Sequence, residues 1–241
     1  MKVEVYAAHT HVLEKDIRGK VCVVIDTLRA TSTIVTALAH GCEQVIPVEE
    51  VDQAMQMRNT MSASQTILGG ERNAKKMPGF DFGNSPFEYT EQNVHGKTLI
   101  MTTTNGTQAI AKARDAVAVY LGAMINGATV AAQLLKDGQD AVLLCAGTKG
   151  KFSLDDCLTA GYILYRMRHF GGRVELETDD LGRVCEELYT QHKDDLQKAM
   201  KDATHYNVLL NLGMKDDLDY CFERDIVQVL PRCVDGRITL E

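Results

Sequence analysis

"VCVVIDTLRATSTIV", residues 21–35, sets an apolar run of five against a polar turn and then a helical pattern. Val21 to Ile25 are apolar on both alternating faces, which is how a strand reads when neither face meets water. Thr31 and Ser32 stand where a helix should begin, and hydroxyl residues favour that position because they accept from the unpaired amides of a first turn. A strand buried on both sides and followed at once by a helix is the unit of a sheet covered by helices on both faces.

The unit recurs outward in both directions. "KVEVY" (2–6), "QVIPV" (44–48), "TLIMTTT" (98–104), "AVAVYL" (116–121) and "AVLLCAG" (141–147) read as further strands. Between them "ATSTIVTALAHG" (30–41), "VDQAMQMRNTM" (51–61), "TQAIAKARDA" (107–116) and "NGATVAAQLLKDG" (126–138) have helical spacing and end at glycine or polar residues. The expected fold class is α/β, a three-layer α/β/α arrangement around a largely parallel or mixed sheet. The C-terminal third is expected to be rich in helix, over 155–170 and 181–203, with "DIVQVLP" (225–231) and "GRITL" (236–240) closing the chain. With no proline-rich linker or internal repeat, residues 1–241 are expected to form a single domain.

Hydrophobic residues make up 45% and charged residues 24%, the balance of an ordinary globular protein. The formal net charge of −7, with no basic run longer than Lys75-Lys76, argues against nucleic acid or a membrane surface as partner, since both demand a concentrated cationic footprint. An anionic ligand must then be small and held locally by aimed cations, amides or a metal. Seven cysteines without a CxxC pair suggest neither a disulfide framework nor a zinc site, so a reducing, cytoplasmic setting is expected. Residues 116–135 carry no charge, but Asn126-Gly127 interrupts them; a strand, a turn and a helix are expected there rather than a membrane span.

Parallel sheets bind ligands beyond the carboxyl ends of their strands, and four polar clusters fall at such ends. After residues 21–25 come Asp26, a candidate metal ligand or turn acceptor, Arg29, a candidate anion clamp, and Thr31 and Ser32, which either meet an anion at the helix start or only cap it. "TLIMTTTNGTQAI" offers Thr104, Asn105, Gly106 and Thr107, suited to a tight turn or to close approach of oxyanions. "AVLLCAGTKGKFSLDD" offers Gly147 and Thr148, with Asp156 as either a carboxylate at a helix start or a metal ligand. "GGERNAKKMPGFDFGNSPFEY" (69–89) reads as neither helix nor strand and holds Glu71, Arg72, Asn73, Asp81 and Asn84, of which Glu71, Arg72 and Asp81 are too many ionisable groups for a mere connector.

Acids at several strand ends, beside an arginine and amide-rich turns, resemble a Mg²⁺ site for a phosphate ester, because Mg²⁺ takes oxygen ligands and needs only one or two carboxylates plus the phosphate. Covalent routes fit less well. Asp26-Thr27-Leu28 lacks the second acid of an Asp-x-Asp nucleophile loop. "CAGTKGK" puts Lys151 where a cysteine phosphatase loop has arginine, "GTKGKFS" misses the P-loop spacing, and "HTH" (9–11) lacks a third nitrogen ligand for zinc. Attack by an activated water remains, with Asp81 as the expected base.

Together "VIDTLRATSTI", "GGERNAKKMPGFDFGNSPFEY", "TTTNGT" and "CAGTKGKFSLDDCLTAG", with a looser match at "DIVQVLPRCVDGRI", resemble the ComB family of 2-phosphosulfolactate phosphatases over nearly the whole chain. Asp155 stands where that pattern suggests glutamate. The resemblance implies Mg²⁺-dependent hydrolysis of (2R)-2-phospho-3-sulfolactate to 3-sulfolactate and phosphate, a step toward coenzyme M. The expected assignment is Asp26, Glu71 and Asp156 for metal, Arg29 and Arg72 for anions, and Asp81 for activating water. Asn73, Thr104, Asn105 and the glycine-rich turns are expected to touch the substrate. Two other readings stand beside it: a phosphatase with Cys145 as nucleophile, and a non-catalytic binder of small sulfonates or phosphates. A homodimer through apolar helix surfaces is a further expectation.

Overall fold

A computed structural model describes residues 1–169 and 175–240. Its strands are β1 (Lys2–Tyr6), β2 (Val21–Ile25), β3 (Gln44–Pro47), β4 (Thr66–Arg72), β5 (Lys75–Lys76), β6 (Thr98–Thr102), β7 (Ala118–Gly122), β8 (Ala141–Cys145), β9 (Glu177–Thr178), β10 (Pro231–Val234) and β11 (Arg237–Leu240). Its α-helices are α1 (Glu14–Ile17), α2 (Ala30–Ala39), α3 (Val51–Asn59), α4 (Glu91–Val94), α5 (Gly106–Ala113), α6 (Gly127–Asp137), α7 (Leu154–His169), α8 (Asp180–His192), α9 (Leu196–Met200), α10 (Thr204–Asn211) and α11 (Lys215–Cys221). Phe170, the last residue of the helix expected over 155–170, lies outside the described residues.

The opening stretch folds as its pattern requires. Val21, Val23 and Ile25 pack on one side of the sheet with residues of α6 and α7, including Val130, Leu134 and Ile163. Cys22 and Val24 pack on the other, with Ile34 and Leu38 of α2 and Ile110 of α5. Each such buried aliphatic side chain contributes roughly 1.5–3 kcal/mol, so helices are held against both faces. The arrangement is α/β with three layers.

The strand order is β5-β4-β6-β3-β11-β10-β7-β2-β8-β1-β9. β4, β6 and β3 form one parallel block. A second comprises β7, β2, β8, β1 and β9. The β10–β11 hairpin joins them through antiparallel pairs on both sides. Counted along this ladder the blocks run in opposite directions, yet residues following β2, β4, β6 and β8 line one cavity. The sheet must therefore coil between the blocks, in the sense that strand twist accumulates. The hairpin is joined sparsely on both sides: Ile238↔Val45 is its single pair to β3, and two pairs join it to β7.

Several expectations are corrected. Residues 69–72 are the end of β4, which turns through Asn73 and Ala74, at φ 54° and 63°, into β5. Glycine obscures the strand in the sequence but serves it in the fold. Gly70 has φ 130°, and a Cβ there would lie 1.8 Å from the Thr102 carbonyl oxygen of β6. "DIVQVLP" is irregular until Pro231 opens β10. The helix expected over 181–203 breaks after His192, and Asp195 starts α9 by accepting from the Lys198 amide. "HTH" forms a 3₁₀ turn, with buried His9 against the Ala146 carbonyl. Residues 116–135 form a strand, a turn and a helix, and among the described residues no helix is long and apolar enough to cross a membrane.

Candidate active site

The cavity at the carboxyl ends of β2, β4, β6 and β8 has a volume of about 320 Å³. Asp26 enters from the loop after β2. Its Oδ1 accepts from the Ala30 amide at 3.1 Å, and the carboxyl is 7% exposed. Burial pushes its pKa up to about 7 against the pull of that amide, with the Asp155 and Glu71 charges adding to the rise.

Glu71 comes from the end of β4. One carboxylate oxygen accepts from the Thr104 amide at 2.9 Å and the other from the Ala74 amide at 2.7 Å, tying the turn after β4 to the loop after β6. Asn105 Oδ1 accepts from the Lys149 amide at 3.0 Å, tying that loop in turn to the one after β8. Gly106 lets α5 approach α2: a Cβ there would lie 2.5 Å from the Ala30 Cβ and 2.8 Å from Asp26 Oδ2. Of these contacts, the bond from Lys149 to Asn105 joins the two blocks.

Asp26, Arg29, Glu71, Asn73, Thr104, Asn105 and Thr148 line the cavity together. The other expected residues do not line it, and each has a physical reason. Arg72 donates to the carbonyls of Glu71 and Glu49 and to the Thr102 hydroxyl. Asp81 pairs with Arg58 and accepts from the Leu68 amide at 2.8 Å, which fastens its loop to β4. The Thr31 hydroxyl lies 2.7 Å from the Gly122 carbonyl oxygen, Ser32 donates to Thr27 O, and Thr107 donates to Thr103 O. The Gly147 amide donates to Asp156.

Asp156 does not line the cavity. Its two oxygens accept from the Thr27 and Gly147 amides, both at 2.9 Å, so it joins the loops after β2 and β8 from behind the cavity. Burial raises its pKa well above the usual carboxylate range, and the neighbouring Asp155 and Asp26 charges raise it further. Among the described residues no three His, Cys, Asp or Glu side chains come together as a metal shell. Of the expected trio, Asp26 and Glu71 line the cavity. Cys145 is fully buried; its contact with Cys157 pulls the thiol down, but burial and nearby acids bring it to about 11, far from a reactive thiolate.

Two buried side-chain oxygens in residues of the cavity wall are left without partners. Asn84 Oδ1 and Thr104 Oγ1 are buried, belong to cavity-lining residues, and have no hydrogen-bond partner. An unsatisfied buried polar atom costs about 1–3 kcal/mol. Together with Asp26 and Glu71 they form an all-oxygen donor set, which suits a hard cation such as Mg²⁺.

The sequence reading also missed residues that line this cavity. Lys149 is a cation at a loop tip, and its place between two glycines after a buried strand was the available signal. Asn84 lay within a stretch already singled out. His205, with Leu28, Val208 and Leu209, gives the wall formed partly by α10, and no motif marks it. His205 Nε2 is 2.8 Å from the Leu28 carbonyl oxygen; because a carbonyl only accepts, Nε2 carries a proton, and in the neutral ring Nδ1 is then the acceptor.

A family model described as 2-phosphosulpholactate phosphatase matches residues 6–236. The chain is 40% identical over 241 residues to a protein of Clostridium beijerinckii named "Probable 2-phosphosulfolactate phosphatase", covering 100% of both chains. It is 44% identical over 239 residues to a protein of the same name from Clostridium novyi, covering 99% of this chain and 100% of the relative. A third, from Caldanaerobacter subterraneus, is 41% identical over 236 residues, with 98% and 97% covered.

Proposed function

The chain belongs to the 2-phosphosulfolactate phosphatase family, and from that premise we propose that it hydrolyses (2R)-2-phospho-3-sulfolactate to 3-sulfolactate and phosphate with Mg²⁺ as cofactor. The observation that carries this reading is that Asp26, Glu71, Asn84 and Thr104, all with side-chain oxygen donors, line one cavity. Those four residues would hold the ion. When bound, it supplies Lewis-acid polarisation of the phosphoryl group.

The chain's own groups do the rest. Arg29 and Lys149 line the same cavity and bind the anionic ends of the substrate, whose phosphate, carboxylate and sulfonate need more than one partner. Thr103, Thr104 and Asn105 bring the amino end of α5 to the cavity, and the positive end of a helix favours anions. Leu28, Val208 and Leu209 exclude water from one wall, which strengthens each charge interaction inside.

Asp81 is engaged elsewhere, so the proton falls to His205. Hydrolysis forms one P–O bond from water and breaks the ester P–O bond. The proton leaving the water must end on the sulfolactate hydroxyl, and His205 Nδ1, kept as an acceptor by the Leu28 carbonyl, can carry it from one to the other. Release of sulfolactate is the step that would serve coenzyme M synthesis.

The test is phosphate release from phosphosulfolactate by the purified protein. Release that stops in EDTA and returns with Mg²⁺ is expected. Saturable binding of the ester, with no phosphate released over hours in Mg²⁺, would favour the non-catalytic binder instead.

A further inference from the structure

Arg29 reaches the cavity from deep within the protein. It is 3% exposed and pairs with the equally buried Asp217 of α11, 188 residues away in sequence. The carboxylate is engaged at both ends: Oδ2 accepts from Arg29 Nη1, and Oδ1 accepts from the Ser85 hydroxyl at 2.7 Å. Arg29 Nη2 lies 3.4 Å from the Ala74 carbonyl oxygen, beside the turn that follows Glu71. α11 has little freedom to move, since its Leu218 and Cys221 pack in one cluster with Leu28 and with Leu209 of α10.

A buried ion pair is a poor way to gain stability, because removing two charges from water costs about as much as their attraction returns, and an apolar pair of similar volume usually does as well. What this pair does provide is geometry. One amino group of a planar guanidinium is fixed by Asp217, so the whole fork is fixed. The same carboxylate holds Ser85, and Ser85 follows Asn84, whose side-chain oxygen is one of the unpartnered atoms at the cavity.

We infer that Asp217 is a positioning residue: a single carboxylate from the C-terminal helices that aims Arg29 at the substrate's anionic group and sets the adjoining Asn84 wall. The inference rests on the phosphatase reading of this cavity. It extends the site to a helix that carries no motif and lies outside the four strand-end clusters.

The experiment compares wild type, D217N, D217E, R29A and R29A/D217N as full-length proteins with Mg²⁺, measuring kcat, KM and inhibition by inorganic phosphate. Losing a hydrogen bond between charged groups typically weakens binding about tenfold, so D217N and D217E should raise KM and the phosphate inhibition constant by about that factor. The D217N effect should vanish in the R29A background. Added guanidinium should restore turnover to R29A but not to R29A/D217N, an outcome that a merely structural role for Asp217 would not produce. If D217N does not fold, D217E decides, because the longer acid displaces the guanidinium while keeping the charge.

Wild-type KM and phosphate inhibition in D217E or D217N, alongside a disabled R29A, would overturn the role of Asp217. Wild-type turnover in R29A would instead overturn the anion-binding reading of Arg29 itself. Equal guanidinium rescue of R29A and R29A/D217N would also count against Asp217.

Discussion

Replacing Asp26 by Asn should make the metal-free protein more stable while abolishing its activity. Burial, set against the Ala30 amide bond, raises the Asp26 carboxyl from 3.8 to about 7. A folded-state pKa above the unfolded value means that the native state binds the extra proton between those limits. The contribution of Asp26 to stability is therefore fullest below about pH 4 and is lost as pH rises toward 7. At about 1.4 kcal/mol per unit, ionised Asp26 costs the native state roughly 4 kcal/mol above neutrality. Asn keeps an acceptor for the Ala30 amide and carries no charge, so most of that cost disappears. The expected gain is about 2–4 kcal/mol, a rise in Tm of roughly 5–15 °C for a chain of this size. Thermal melts in EDTA across about pH 4–8 provide the assay, and the gap between D26N and wild type should widen up to about pH 7 and then level off. Mg²⁺ should raise the melting point of wild type only. A D26N protein less stable than wild type by the same amount at every pH would refute the reasoning, because Asp26 would then be a stabilising acceptor rather than a desolvated charge.

Asp81→Asn should lower stability by about 1–2 kcal/mol, through its weakened bonds to Arg58 and the Leu68 amide, and leave kcat unchanged. A kcat loss of about tenfold or more, roughly 1.4 kcal/mol of barrier, would return the base assignment to it. Gly106→Ala should cost about 1–3 kcal/mol in urea melts, the usual range for overpacking, because its Cβ would push α5 away from Ala30 and Asp26; turnover should fall with it, and wild-type values for both would refute the close approach. Cys145→Ser should retain phosphate release, since the thiol is fully buried; near-total loss of turnover with a normal melt would revive the covalent reading.

Local chemistry made the layered α/β fold and half of the site legible. Val21–Ile25 can only be a strand with two dry faces, and a polar cluster after such a strand has to surface at its carboxyl end; Asp26, Glu71, Thr104 and Asn105 reach the cavity for that reason. Periodicity carried no such information about the β10–β11 hairpin, whose antiparallel pairs to β3 and β7 set the two blocks in opposite directions along the ladder. It was equally silent on which way a polar side chain faces. In the sequence Asp81 looks like a base and Asp156 like a ligand, yet they accept from amides of Leu68, Thr27 and Gly147, while His205 and Asp217 look like ordinary helix residues but meet Leu28 and Arg29. A carboxylate or a ring goes wherever its hydrogen-bonding partner lies, and here those partners lie from 9 to 188 residues away along the chain. Strand ends follow from side chains a few positions apart, whereas the aim of a buried charge follows from packing that only the assembled protein has.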